Sequence, residues 1–166
     1  MTLGPRNPTR NLPTLKDLNQ PFLFDIHWSN RPLRLEFFDT SSPESYTLLH
    51  PHLILLCYDI TSRASLRSVA STWKHQVETH FNYDESLPVI LVGLKRDLRR
   101  DGVEGMVFPH EGLNTAQEMR CDRYAECSAV TGELCQEVFE DVCRTAAMTV
   151  GGEGGGKSAP PPCVVM

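Results

Sequence analysis

The sequence predicts an α/β fold, a mostly parallel sheet flanked by helices, and three observations carry that expectation. Leu53-Ile54-Leu55-Leu56-Cys57-Tyr58 and Val89-Ile90-Leu91-Val92 are continuous apolar runs, the pattern of strands covered on both faces rather than on one. Between them Leu66, Val69, Trp73 and Val77 recur at spacings of three and four, which puts one apolar stripe on a helix. Strands that alternate with helices in this way need crossover connections, and crossovers join parallel neighbours.

The remaining elements follow in order. Residues 22–28 alternate loosely and meet residues 33–38 across Ser29-Asn30-Arg31-Pro32, a short polar turn of hairpin type. Ser62 stands where its hydroxyl can cap the helix that carries Leu66 to Val77. Pro109 suits the first turn of a helix running to about Met119, because the N–H it lacks has no helical partner there. Tyr124-Ala125-Glu126 forms a short strand, and Leu134, Val138, Val142 and Ala146 line one face of a last helix. After Val150 the periodicity stops, and residues 151–162 have the glycine-rich, then proline-rich composition of a flexible linker. The expected organisation is an unstructured stretch over 1–10, one domain over 11–150 and a flexible tail over 151–166.

Composition narrows the function. A chain of 166 residues with 40% apolar content suits one domain with one core. The net charge of -5 and the scarcity of clustered Lys and Arg argue against nucleic acid as a partner; Arg96, Arg99 and Arg100 read as a small patch on a solvated loop. Cysteines at 57, 121, 127, 135, 143 and 163 make no Cys-x-x-Cys pair, so neither a zinc ribbon nor a redox dithiol is signalled. Cys57, in an apolar run, and Cys143, on a helix, read as small hydrophobes. The first twenty residues are polar and proline-studded, unlike a secretory leader, and no apolar run approaches a bilayer span. The expected compartment is the reducing cytosol.

Two loops carry chemistry. The run Val89 to Val92 leads into Gly93-Leu94-Lys95-Arg96-Asp97, and the short strand at Tyr124 leads into Cys127-Ser128-Ala129. An aspartate at a strand end can accept hydrogen bonds from both N1 and N2 of guanine, a donor pair that adenine lacks. Asp97 is the candidate reader. Lys95 would lay its methylene stem along a face of the base while its ammonium stays solvated, and the Ala129 N–H, in the loop of Ser128, would donate to guanine O6. On its own, Lys95-Arg96-Asp97 is more often a charged turn closing a buried strand. The placement of Ser128-Ala129 after the next strand favours the base-reading role.

With these loops in this order, the chain resembles Rho-type members of the Ras superfamily over residues 11–150 and at its last four residues. Leu12-Pro13-Thr14 resembles the first switch, whose threonine reaches magnesium and the terminal phosphate. Leu35-Glu36-Phe37-Phe38-Asp39-Thr40 resembles the strand delivering the second switch, whose aspartate holds magnesium through water. Trp73 also matches in place and type. The resemblance implies a small-GTPase fold, GTP or GDP with Mg2+ as ligands, Lys95, Asp97, Ser128 and Ala129 at the nucleotide, and Thr14 and Asp39 at the metal. It further implies effector and regulator proteins as partners in small-GTPase signalling.

The departures from the family pattern bear on mechanism. Its Asp-Thr-Ala-Gly-Gln-Glu reads Asp39-Thr40-Ser41-Ser42-Pro43-Glu44 here, so the γ-phosphate-sensing glycine is Ser42 and the water-orienting glutamine is Pro43. Hydrolysis depends on positioning that water, so slow or absent GTP hydrolysis is expected and no catalytic residue is assigned. The Asn or Thr before the base-reading lysine is Leu94, which cannot tie the loop by hydrogen bonds. The family opens with a strand, a Gly-x-x-x-x-Gly-Lys-[Ser/Thr] phosphate loop and a helix. Residues 1–10 contain none of these, and the fold is expected without them. Gly151-Gly152-Glu153-Gly154-Gly155-Gly156-Lys157-Ser158 matches the loop pattern in letters. A helix precedes it, however, and Ala159-Pro160-Pro161-Pro162 cannot continue as the helix whose N-terminus would face phosphates.

Cys163-Val164-Val165-Met166 is a Cys-aliphatic-aliphatic-X box whose terminal methionine favours a farnesyl group on Cys163. One lipid chain gives marginal attachment, so partial association with the cytoplasmic face of the plasma membrane or endomembranes is expected. Alternatives to a GTP-binding switch are a pseudo-GTPase scaffold without a nucleotide cycle and a truncated gene product.

Overall fold

The two continuous apolar runs become adjacent parallel strands, the second buried on both faces and the first chiefly on one. The computed structural model describes residues 20–28, 31–39, 49–82, 86–151 and 163–165. Its strands are β1 (Phe22–Trp28), β2 (Arg31–Phe37), β3 (Ile54–Asp59), β4 (Val89–Leu94), β5 (Arg123–Glu126) and β6 (Cys163–Val165). Between β3 and β4 the chain winds through α1 (Arg63–Ser68), a π-helical segment (Val69–Trp73) and α2 (Lys74–His80). A 3-10 turn (Arg96–Leu98) and α3 (Pro109–Glu118) link β4 to β5, and α4 (Cys135–Gly151) follows β5.

The α/β expectation holds, with the sheet in two parts of order β1-β2-β6 and β3-β4-β5. In the second part all pairings are parallel, with Ile54 opposite Val89 and Ile90 opposite Arg123. In the first, β1 and β2 form the expected antiparallel hairpin, with Trp28 opposite Arg31, and β6 runs parallel to β2 on its other side. An isolated parallel bridge between Leu53 and Val165 connects the parts.

β6 was not expected: the sequence reads as a flexible tail through residue 166, whereas residues 163–165 pair with Leu35 to Phe37. Val165 explains the docking. It is fully buried, packed in the cluster that contains Leu33, Leu35, Leu53, Val142 and Ala146.

Helices cover both faces of the sheet. Ile54, Leu56 and Tyr58 alternate along β3 into a core shared with Val69, Val77, Val107 and Ala116, while Ile90 and Val92 of β4 face Val142, Cys143 and Ala146 of α4. Each fully buried aliphatic side chain contributes about 1.5–3 kcal/mol of transfer free energy, and these two layers hold the strand ends in place. The Ser62 hydroxyl accepts from the Ser65 N–H at 3.2 Å, capping α1 as expected. α3 starts at Pro109, with the Phe108 N–H donating to the Glu111 carboxylate at 2.9 Å.

Cys143 is buried, as a small hydrophobe should be, but Cys57 is exposed. The reason lies in the sheet: among the described residues β3 is an edge strand that meets its other neighbour only at the Leu53–Val165 bridge. Beyond the bridge a cavity of about 500 Å³ opens, lined by Phe37, Phe38, Asp39, Ile54, Leu56, Cys57, Trp73 and Leu94 among others. Among the described residues no helix is long and apolar enough to cross a membrane.

Candidate functional site

In an open parallel sheet, ligands bind beyond the carboxyl ends of the strands, and the two chemistry-bearing loops lie there. β4 ends at Leu94, and Lys95 turns the chain with φ 63 and ψ 38, a left-handed conformation that costs a non-glycine residue about 1–2 kcal/mol. The turn is held by its neighbours. Cys127 donates its N–H to the Gly93 carbonyl at 2.9 Å, and Arg96 donates its N–H to the Cys127 carbonyl at 3.1 Å. These bonds splice the loop after β4 to the loop after β5.

Ser128 then fixes Asp97. Its hydroxyl, fully buried, donates to Asp97 Oδ1 at 2.5 Å and accepts from the Thr131 N–H at 3.2 Å. Its own N–H donates to the Glu133 carbonyl at 3.0 Å, and its carbonyl accepts from the Gly132 N–H at 2.8 Å. Ala129 follows, exposed, at the start of the turn. Asp97 and Ser128 are therefore in direct contact, with Ala129 next in the chain.

Lys95 is directed elsewhere: its ammonium lies 2.6 Å from Asp59 Oδ2, at the end of β3. Asp59 also accepts from the Thr61 N–H and hydroxyl at 2.8 and 2.7 Å. Partial burial disfavours its charged form, but the Lys95 and Thr61 hydrogen bonds outweigh that and hold the carboxyl below its ordinary range. Sequence reasoning missed Asp59. The available signal was register, since Asp59 ends its strand directly opposite Leu94.

A second finding lies beneath the loop. Arg99, read from sequence as part of a solvated patch, is only 14% exposed and clamps Glu126, which is 6% exposed, with bonds of 2.5 and 2.6 Å. It also donates to the Val107 carbonyl from Nε at 3.2 Å and Nη2 at 3.1 Å. The Tyr124 hydroxyl donates to the same carboxylate and pairs with the Tyr58 hydroxyl at 2.8 Å. Burial alone would raise the Glu126 pKa; the Arg99 and Tyr124 bonds overcome it and hold the carboxyl below its usual range. Burial, then the bonds to Glu126 and Tyr58, push the Tyr124 phenol up. This buried pair supports the strand end from which Ser128 reaches Asp97.

The other candidates are dispersed. Asp39, just past β2, is exposed; its backbone exchanges hydrogen bonds with the Gln20 amide, and it sits on the cavity wall. Thr14, Ser42 and Pro43 lie outside the described residues, as does the glycine-rich match after Gly151. Cys163 opens β6, opposite Leu35.

A profile of the Ras family matches residues 14–148. The chain belongs to the Ras family. Within it the chain is of Rho type. It is 36% identical over 135 residues to the Ras-like GTP-binding protein RhoL of Drosophila melanogaster, covering 75% of this chain and 70% of that protein. It is 34% identical over 142 residues to the GTP-binding protein rho1 of Schizosaccharomyces pombe, covering 76% and 69%. The GTP-binding protein rho2 of the same yeast matches at 31% over 173 residues, covering 95% of this chain and 83% of that protein.

The arrangement has two parts: the Ser128 hydroxyl holds Asp97, with Ala129 next in the chain, and Lys95 pairs with Asp59 at the end of β3.

Proposed function

We propose that this Rho-type chain binds GDP or GTP chiefly through the base and acts in small-GTPase signalling, with a hydrolytic step that is impaired or depends on a partner. The observation that supports this most is the Ser128 hydroxyl bonded to Asp97 Oδ1 at 2.5 Å. A carboxylate offers about four acceptor sites, so Asp97 can keep that bond and still accept from guanine N1 and N2. For Lys95 to lie along the base it must leave Asp59. The Lys95 side chain is 57% exposed and Asp59 25%, and ion pairs near the surface are typically worth about 1 kcal/mol or less, so the exchange is a modest cost. The Leu94 side chain supplies no hydrogen bond to the loop, which lowers affinity by about 0.5–1.5 kcal/mol while base choice need not be lost.

Thr14 and Asp39 are the proposed magnesium ligands. Magnesium would supply charge neutralisation at the phosphate oxygens. With Pro43 in place of the water-orienting glutamine, hydrolysis lacks its positioning group. Cys163 is the proposed lipid site, giving partial attachment to cytoplasmic membrane faces, with effector and regulator proteins as partners and no nucleic acid.

Thermal melts with and without GDP and magnesium test the binding reading. A native-state ligand at about 100-fold over its Kd adds about 2.7 kcal/mol, so the midpoint is expected to rise with GDP. In the same samples loaded with GTP, a single turnover is expected to release phosphate far more slowly than an ordinary small GTPase does. A cooperative melt indifferent to nucleotide would instead favour a pseudo-GTPase scaffold.

A further inference from the structure

We propose that Cys163–Val165 is a removable plug in the sheet, and that Cys163 becomes a substrate for lipidation only when this strand has left its seat. The proposal rests on the lipidation reading of Cys163 and adds a structural gate to it.

The seat is defined on both sides. β6 runs parallel to β2, and its bridge to Leu53 is also parallel, so among the described residues the strand lies between two edges that would otherwise present unpaired backbone groups. The Phe38 N–H donates to the Val165 carbonyl at 2.9 Å, and the Val165 side chain is fully buried. The fit is nonetheless partial. β6 spans three residues, β3 spans six, and the two meet only at Leu53. Past that point the edge of β3 faces the cavity lined by Phe37, Ile54, Cys57 and Trp73. A strand so short, tethered by a glycine- and proline-rich linker, is expected to open and close.

Lipidation requires the Cys163 sulfur to attack C1 of a prenyl diphosphate. A carbon–sulfur bond forms, the carbon–oxygen bond breaks, diphosphate leaves with the electron pair, and the thiol proton passes to solvent. Residues 163–165 cannot be hydrogen-bonded along β2 and lie in a transferase active site at once. If the three residues after Cys163 are then removed, Val165 goes with them. The modified chain would have lost its plug and carried an open seat between β2 and β3.

The test compares labelling by a protein farnesyltransferase and farnesyl diphosphate of three substrates: the full chain, a peptide of residues 156–166, and the full chain carrying Phe38→Pro. That substitution removes the N–H bonded to Val165 and leaves the box intact. If the open form is about one molecule in ten, the full chain should react about ten-fold more slowly than the peptide, with Phe38→Pro shifting it toward the peptide rate. Equal rates for chain and peptide would overturn the plug. Should the peptide itself go unlabelled, the lipidation reading fails, and the plug is judged separately by a chain ending at Pro162. A lower melting midpoint and faster Phe38 amide exchange in that chain support the plug; unchanged values overturn it.

Discussion

Replacing Arg99 with alanine is expected to destabilise the chain by about 3–5 kcal/mol near neutral pH, the usual consequence of leaving one member of a buried ion pair alone. Glu126, 6% exposed, would lose both guanidinium bonds. It would keep the Tyr124 hydroxyl, with the Arg96 guanidinium no nearer than 4.0 Å. The pH dependence follows from the sign of the shift. In the native chain the Glu126 carboxyl is held below its ordinary range, so its stabilising contribution is complete above that range and is lost as pH falls through the depressed value. Without Arg99, burial is opposed only by the Tyr124 hydrogen bond and the more distant Arg96 charge, so the carboxyl is held down less firmly. The variant then pays most at neutral pH and least where Glu126 is protonated in both proteins. Urea titrations at neutral and acid pH measure this, and an equal deficit at both would contradict the ion-pair account.

Gly112→Ala is expected to cost about 2 kcal/mol or more, although alanine is the better helix former. A Cβ at 112 would stand 2.2 Å from the Tyr124 hydroxyl oxygen and 2.4 Å from that of Tyr58. Both rings are held, Tyr58 within the core and Tyr124 against Glu126. Two effects oppose each other. Helix propensity favours alanine by about 1 kcal/mol, while overpacking costs about 1–3 kcal/mol and a buried hydroxyl forced off its partner another 1–3 or so. The penalty wins because the same methyl group displaces both hydroxyls of one network. Chemical denaturation is the check. A Gly112→Ala protein more stable than the parent would mean that the tyrosines can step aside.

Much of the fold was legible because its signals are local. The apolar runs gave β3 and β4, the stripe of Leu66, Val69, Trp73 and Val77 gave the helical stretch between them, and Ser62 capped where its hydroxyl could reach. That the loops holding Asp97 and Ser128 stand together was legible from their places after successive strands, but the bond between the two side chains was not. What escaped depended on distant partners. Arg96, Arg99 and Arg100 look alike in sequence, yet it is Arg99 that hydrogen-bonds a buried carboxylate, which Arg96 approaches only at 4.0 Å, and that carboxylate lies on the next strand. β6 is too short to show a period, and its pairing partner lies near the other end of the chain. Cys57 follows the apolar pattern of its run but faces an edge whose neighbour covers only its first residue.

The claim on which the functional account turns is that the Asp97 carboxylate selects guanine over adenine. Calorimetric titration of the parent chain and of Asp97→Asn with GDP and with ADP, each with magnesium, tests it most directly. The account predicts that the parent takes up GDP in clear preference to ADP, and that asparagine, which presents an N–H group where guanine needs an acceptor, erases the difference. GDP and ADP binding the parent equally well, or the preference surviving in Asp97→Asn, would contradict it.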